Sequence, residues 1–215
     1  MITKLRTALC AMLAAVALLG GAPAHAAEVT LPDAIRALSV AAETNDGYER
    51  TAFRHWIDED RDGCSTRAEV LIEESRTEPV VEANCRIISG TWHSYYDGRV
   101  VTDPSELDID HMGPLKEAWG SGAKFWTKER RQAYANDLTA ERSLVAVTAA
   151  TNRSKADKDP AQWLPPLADA RCTYIADWVS TKLRWSLSVD QAEHDALLRV
   201  ADGCGYQRVT YESAA

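Results

Sequence analysis

The chain has 215 residues, 46% hydrophobic and 26% charged, a balance that suits a globular protein with a sizeable core and excludes a disordered or fibrous one. Its formal net charge of −8 argues against a protein that coats nucleic acid through a broadly basic surface. It leaves room for an enzyme that holds such a substrate weakly and releases it.

The first residues read as an address. Lys4 and Arg6 precede an apolar run from Ala8 to Leu19, and Ala24-His25-Ala26 is a small-x-small cleavage signal. The sequence therefore predicts a signal peptide over residues 1–26, a mature chain from Ala27, and secretion. The run is too short to span a bilayer comfortably. Losing Lys4 and Arg6 takes the formal charge from −8 to −10. Apart from Cys10 in the leader, the cysteines are Cys64, Cys85, Cys172 and Cys204, an even set that in an exported chain predicts two disulfides. Of the possible pairings, Cys64–Cys85 with Cys172–Cys204 closes a modest loop in each half. The absence of Cys-x-x-Cys speaks against a zinc site.

Helical spacing marks Leu31–Val40, with Pro32 near the start, and Tyr48–Ile57, where Phe53 and Trp56 fall on an apolar stripe and His55 off it. Asp58, Asp60, Asp62, Gly63 and Glu69 then match the EF-hand loop pattern, so calcium is a candidate ligand. Ser65, where that loop needs an apolar residue, and a bridged Cys64 favour a plain acidic turn instead. Arg67–Ser75 suits helix or strand. Arg86–Tyr96 reads as strand, with a bulge at Gly90 and a hairpin turn at Asp97-Gly98. Leu115–Trp119 reads as helix, broken at Gly120-Ser121-Gly122, and a further helix starts after Thr127 as N-cap. Ser143–Val147 is a short strand, and Thr148 is expected to cap a helix carrying Asn152 and Lys155. After an irregular Trp163-Leu164-Pro165-Pro166 come helices over Tyr174–Leu183 and Val189–Ala201, with His194 on a solvated face. The class these elements predict is α+β.

The chemistry gathers in two pieces. Asp108-Ile109-Asp110-His111-Met112-Gly113-Pro114 puts a carboxylate directly before a histidine, and Asn152-Arg153-Ser154-Lys155 puts a carboxamide among cations. Carboxylate and carboxamide oxygens are hard ligands suited to Mg²⁺, Mn²⁺ or Ca²⁺. A neighbouring imidazole can take a proton from water, and Lys155 and Arg153 can hold a phosphate. Between Asp110 and Pro160, nine basic side chains face seven acidic ones, a locally basic segment in an acidic chain. Trp119, Trp126 and Trp163 are candidates to stack on bases, although tryptophans of exported domains are more often core.

The order Asp-x-Asp-His-x-x-Pro, an insert, an apolar strand and then Asn-Arg-x-Lys resembles the HNH endonucleases of the ββα-metal, or His-Me finger, class. Trp119-Gly120-Ser121-Gly122-Ala123, Ala135-Asn136-Asp137-Leu138 and Asp157–Pro166 are similar to secreted bacterial members. The resemblance implies one domain over residues 27–215, with an HNH core over about 86–166, a helical insert and flanking terminal helices. It also implies a monomeric, metal-dependent endonuclease acting on DNA, or on RNA. In that reading His111 is the general base, Asp110 and Asn152 hold one Mg²⁺ or Mn²⁺, and Lys155 contacts phosphate. Asp108, Arg131 and Asn136 stand behind them. The rival reading is a catalytically silent calcium-binding interaction module built on Asp58, Asp60, Asp62 and Glu69.

Overall fold

A computed structural model describes residues 27–214; the signal-peptide reading and Cys10 lie outside the described residues. The elements, in order, are β1 (Ala27–Thr30), α1 (Leu31–Ala37), α2 (Thr66–Glu73), β2 (Val80–Glu82), β3 (Arg86–Ser89), β4 (Trp92–Ser94) and β5 (Arg99–Val101). They continue with β6 (Leu107–His111), α3 (Leu115–Gly120), α4 (Lys128–Ala135), β7 (Leu144–Thr148), α5 (Ala149–Lys155), α6 (Arg171–Trp185), α7 (Gln191–Ala201) and β8 (Arg208–Tyr211). The strands pair antiparallel in twos, β1 with β8, β2 with β3, β4 with β5 and β6 with β7. Small ladders among helices make the fold α+β.

The β6–β7 ladder is the centre. All five residues of β7 are buried. Because side chains alternate across a strand, Val145 and Val147 enter a core with Ile35, Tyr96, Trp178, Val179 and Leu197, while Leu144 and Ala146 enter a second core with Val70, Leu71, Trp92 and Ile109. β6 is apolar on one face only: Leu107 and Ile109 join the second core, leaving Asp108 and Asp110 to the other side. A third cluster joins Phe53, Leu115, Ala118, Tyr134 and Trp185, tying the insert to α6.

Two disulfides close as Cys64–Cys85 and Cys172–Cys204. Thr127 caps α4 by accepting from the Arg130 N–H, and Asp190 caps α7 by accepting from the Glu193 N–H. Arg86–Tyr96 forms two strands rather than one. They are separated at Gly90, where a Cβ would stand 2.6 Å from both Ser75 Oγ and the Trp92 ring.

Other expectations are corrected. Tyr48–Ile57 is not an α-helix but a single 3₁₀ turn, Arg50–Ala52, followed by irregular chain. Its backbone groups find partners outside the segment, which removes the need for a helix. Asn136 Nδ2 donates to the Arg54 carbonyl, Asn136 Oδ1 accepts from the Ile57 N–H, and Arg131 Nε donates to the Ala52 carbonyl. Thr148 stands at the start of α5 but does not cap it with its hydroxyl, which lies 2.6 Å from Asp97 Oδ2 and 2.7 Å from Thr151 Oγ1. His194 is not on a solvated face: its side chain is 16% exposed, and its buried Nδ1 finds no hydrogen-bond partner among the described residues.

Candidate functional site

β7 runs straight into α5, so the helix folds back over β6. The register pairs Asp108 with Val147 and Asp110 with Val145, setting both carboxylates on the face that α5 covers. One strand period on β6 meets one helical turn on α5. Asn152 Nδ2 donates to Asp108 Oδ2 at 3.3 Å, and Lys155 Nζ to Asp110 Oδ2 at 2.7 Å.

Asp110 is buried. Its Oδ2 also accepts from the Tyr96 hydroxyl at 2.6 Å. Among the described residues no donor reaches its other oxygen. Burial raises its pKa, opposed by the Lys155 charge and by the Lys155 and Tyr96 hydrogen bonds. Asn152 is likewise committed only through its nitrogen, which leaves the amide oxygen without a protein donor among the described residues.

Lys155 is placed differently from the phosphate contact the sequence suggested. Its side chain is completely buried, and Nζ donates to Asp110 Oδ2, the His111 carbonyl and the Met112 carbonyl. Three acceptors take all three ammonium protons, so nothing is left for a substrate phosphate. Desolvation pushes its pKa down and Asp110 holds it up. The three acceptors around Nζ are the arrangement of a charged ammonium, so the pair is ionic. Lys155 thus fixes the turn after β6 and the Asp110 carboxylate together.

His111 ends β6. One ring nitrogen, Nε2, lies 2.9 Å from the Ala135 carbonyl at the end of α4. Since a carbonyl only accepts, Nε2 carries the hydrogen and Nδ1 keeps a lone pair. The ring packs 5.2 Å from Trp56 and 6.3 Å from His55, centre to centre. Burial first, then the charges of His55, Arg50 and Lys155, hold its pKa down to about 3, against the Ala135 hydrogen bond. The imidazole is neutral at any ordinary pH. Gly113 follows, where the Tyr134 hydroxyl donates to its carbonyl at 2.5 Å and a Cβ would meet that oxygen at 2.6 Å. A side chain here would push α4, and with it the Ala135 carbonyl, away from His111.

Asp110, His111 and Asn152 line one pocket of about 340 Å³, together with Arg50, Arg153 and Asp157. Arg131 and Asn136 are not in it. Arg131 donates to the carbonyls of Ala52, Ala123 and Trp126, and Asn136 staples α4 to the backbone at Arg54 and Ile57 and to the Thr66 hydroxyl. Both hold the 48–57 segment against α4, and that segment brings His55, Trp56 and Arg50 to His111. Arg50 and Tyr96 carried no signal in the sequence. The first sat in a supposed helix, the second in an aromatic strand where every ring reads as core.

The other sequence candidates lie elsewhere. Asp58, Asp60 and Asp62 each bring one oxygen within 4.8 Å of the others, and in a second group an oxygen of Asp62 and of Glu69 lie equally close to Cys64 Sγ, which is bridged to Cys85. The three aspartates are exposed, and each accepts from a backbone N–H inside the turn. Trp119, Trp126 and Trp163 are all in ring contacts, with Phe53, Trp185 and Tyr174 among their partners.

Comparison with known proteins places the chain in a nuclease-related class. Residues 66–200 match the model of the GmrSD restriction endonucleases, C-terminal domain, and the chain belongs to that family. It is also similar to a protein of Arthroderma benhamiae described as an uncharacterized secreted protein, 43% identical over 159 residues, which cover 74% of this chain and 76% of the relative. No solved structure matches the chain. The protein is a secreted one, in keeping with its two disulfides and its secreted relative. Among the described residues no helix is long and apolar enough to cross a membrane.

Proposed function

We propose that the protein is a secreted, metal-dependent HNH endonuclease and that β6, β7 and α5 are its ββα-metal unit. The observation that carries this reading is the shared pocket: Asp110, His111 and Asn152 line it together, and among the described residues no protein donor reaches the second Asp110 oxygen, the Asn152 amide oxygen or His111 Nδ1. Asp110 and Asn152 offer two hard oxygens, a donor set that fits Mg²⁺ or Mn²⁺ and leaves most of the ion's hydration in place. When bound, such an ion supplies positive charge against a phosphodiester and its leaving oxygen.

The chain's own groups do the rest. His111, fixed by the Ala135 carbonyl, holds Nδ1 ready to take a proton from a water attacking phosphorus. Its pKa of about 3 belongs to a ring surrounded by burial and positive neighbours. A phosphate entering beside it brings negative charge, which favours the protonated ring and strengthens the base when substrate is present. Arg50 and Arg153, on the pocket rim, meet the phosphate in place of the buried Lys155. The Lys155–Asp110 pair and the Asp108–Asn152 bond keep the two metal ligands aimed at the pocket.

The test is plasmid nicking with Mg²⁺, Mn²⁺ and Ca²⁺ and with EDTA, beside His111→Ala and Asn152→Ala. Cleavage by the wild type with a divalent ion, lost in EDTA and in both variants, is the expected result. DNA and RNA both left intact under every ion would defeat the reading.

A further inference from the structure

Tracing the pocket outward leads along a line of cations. Arg153 and Arg50 line the candidate pocket. Arg54, on the same irregular segment as Arg50, lines the neighbouring hollow between that segment and α4, where it shares the wall with Lys128. Lys128 opens α4, and just before it Lys124 sits in the 3₁₀ turn Ala123–Phe125. Asp110, Asp157 and Glu129 oppose these five charges along the two hollows, Asp110 being already paired with the buried Lys155, and Asp108 stands 3.7 Å from Arg153. In a chain of net charge −8 that is a local reversal of sign.

The line ends at Phe125, which is 83% exposed. Single exposed apolar residues are ordinary. This one differs in its mount. Its N–H donates to the Gly122 carbonyl, and Arg131 clamps the carbonyls on both sides of it, at Ala123 and Trp126. The next residue, Trp126, packs on Tyr134 and Trp185. A fixed backbone thus presents an exposed ring to solvent, with the Lys124 ammonium over it at 5.2 Å from its centre. The tryptophans that might stack on bases are engaged with other rings; the phenylalanine between two of them is not buried.

An aromatic ring beside cations is how proteins grip an unpaired nucleotide: the ring stacks on the base and the cations meet the phosphates. A duplex hides its base faces and cannot use the ring. α4 spans about 12 Å at 1.5 Å per residue, so the Phe125 turn stands a few nucleotides of extended strand from the Ala135 carbonyl that holds His111. We infer that the rim formed by Arg153, Arg50, Arg54, Lys128 and Lys124 is a track for single-stranded nucleic acid, with Phe125 as its base-stacking stop. This deepens the endonuclease reading and rests on it for the direction of the strand.

Binding is measured by fluorescence anisotropy of the whole secreted chain in EDTA, with a short labelled single-stranded DNA and the same sequence as duplex. Phe125→Ala is expected to weaken single-strand binding by about fivefold or more and duplex binding by less than about twofold, with Phe125→Tyr restoring the first. Lys128→Ala is expected to weaken both and to reduce the salt slope for the single strand by about 0.7, the mark of one lost phosphate contact. The track is overturned if Phe125→Ala leaves single-strand binding unchanged, if it lowers both substrates equally, or if the wild type has no measurable affinity for single strands. Plasmid cleavage by the same preparation, with Mg²⁺ restored, judges the endonuclease reading separately.

Discussion

Lys155 Nζ lies 2.7 Å from Asp110 Oδ2, inside the protein, with the lysine side chain entirely out of water. A buried ion pair is stable only while both members are present. Lys155→Met should therefore cost about 3–5 kcal/mol, because it strands the Asp110 carboxylate and orphans two carbonyls. Asp110→Asn combined with Lys155→Met should recover part of that loss, since no charge is then left unpaired. Denaturant melts of the two singles and the double test this as a mutant cycle. Additive losses would mean that the pair does not act as a unit.

His111 and Asn152 should separate cleanly in function. His111→Ala removes the proton acceptor and is expected to lower kcat about 10²–10⁴-fold while calorimetric Mn²⁺ affinity stays within about twofold. Asn152→Ala is expected to weaken Mn²⁺ binding, with activity partly regained at high ion concentration. A His111→Ala protein that loses Mn²⁺ as well would assign the imidazole to the ion rather than to water.

Much of this arrangement is legible in the residues, because β6 and β7 obey local rules. Leu107 and Ile109 alternate and Leu144–Val147 run unbroken as strands do, and Asn152 and Lys155 share a helix face by spacing alone. What escaped depends on contacts between distant segments. The stretch 48–57 has helical periodicity, yet Asn136 and Arg131, some eighty residues on, satisfy its backbone and hold it open. The burial of Lys155 follows from carbonyls at the turn after β6, which no spacing rule places. By spacing alone, a lysine one turn from a candidate metal ligand reads as a phosphate clamp; its three acceptors give it another part. Arg131 and Asn136, which the sequence offers as lining the site, lie outside the pocket. They act on the loop that faces His111 rather than in the pocket itself.

A second buried cluster bears on pH. Lys182 Nζ lies 2.6 Å from Glu117, 3.2 Å from Glu193 and 3.7 Å from Glu43, three carboxylates around one ammonium. Desolvation raises Glu43 from 4.5 to about 7, with Glu117 and Asp190 adding to the rise and Lys182 and Ser121 opposing it. Between those two values the folded protein keeps a proton that the unfolded chain has lost, so stability falls as pH climbs through that window and levels off above it. Glu43→Gln removes the titration. The wild type should melt several degrees lower at pH 8 than at pH 5, on a scale of about 2–4 °C per kcal/mol for this size, and the variant should lose part of that difference, the rest staying with Glu193, Glu74 and Asp177, which burial raises in the same direction. Equal pH slopes for both proteins would dissociate Glu43 from the effect.

Tyr96 offers the most direct probe of how the pocket is held. Its hydroxyl, 2.6 Å from Asp110 Oδ2, is buried beneath Trp163 and Tyr174 and never reaches solvent. Tyr96→Phe deletes one oxygen and leaves the ring packing intact, so the fold should lose only about 1–2 kcal/mol. The carboxylate, however, loses one of the two donors that hold Oδ2 and is freer to rotate and to take up a proton. Support of this kind around a metal ligand is typically worth about 10–100-fold in affinity or rate. The expected variant is a well-folded protein whose Mn²⁺ affinity falls by at least about tenfold, with His111-dependent cleavage restored when the ion is supplied in excess. Calorimetry beside a melting curve reads both quantities on one sample. A Tyr96→Phe protein with unchanged Mn²⁺ affinity would remove Asp110 from the set of ligands, because a carboxylate that has lost this anchor cannot bind an ion as well as before.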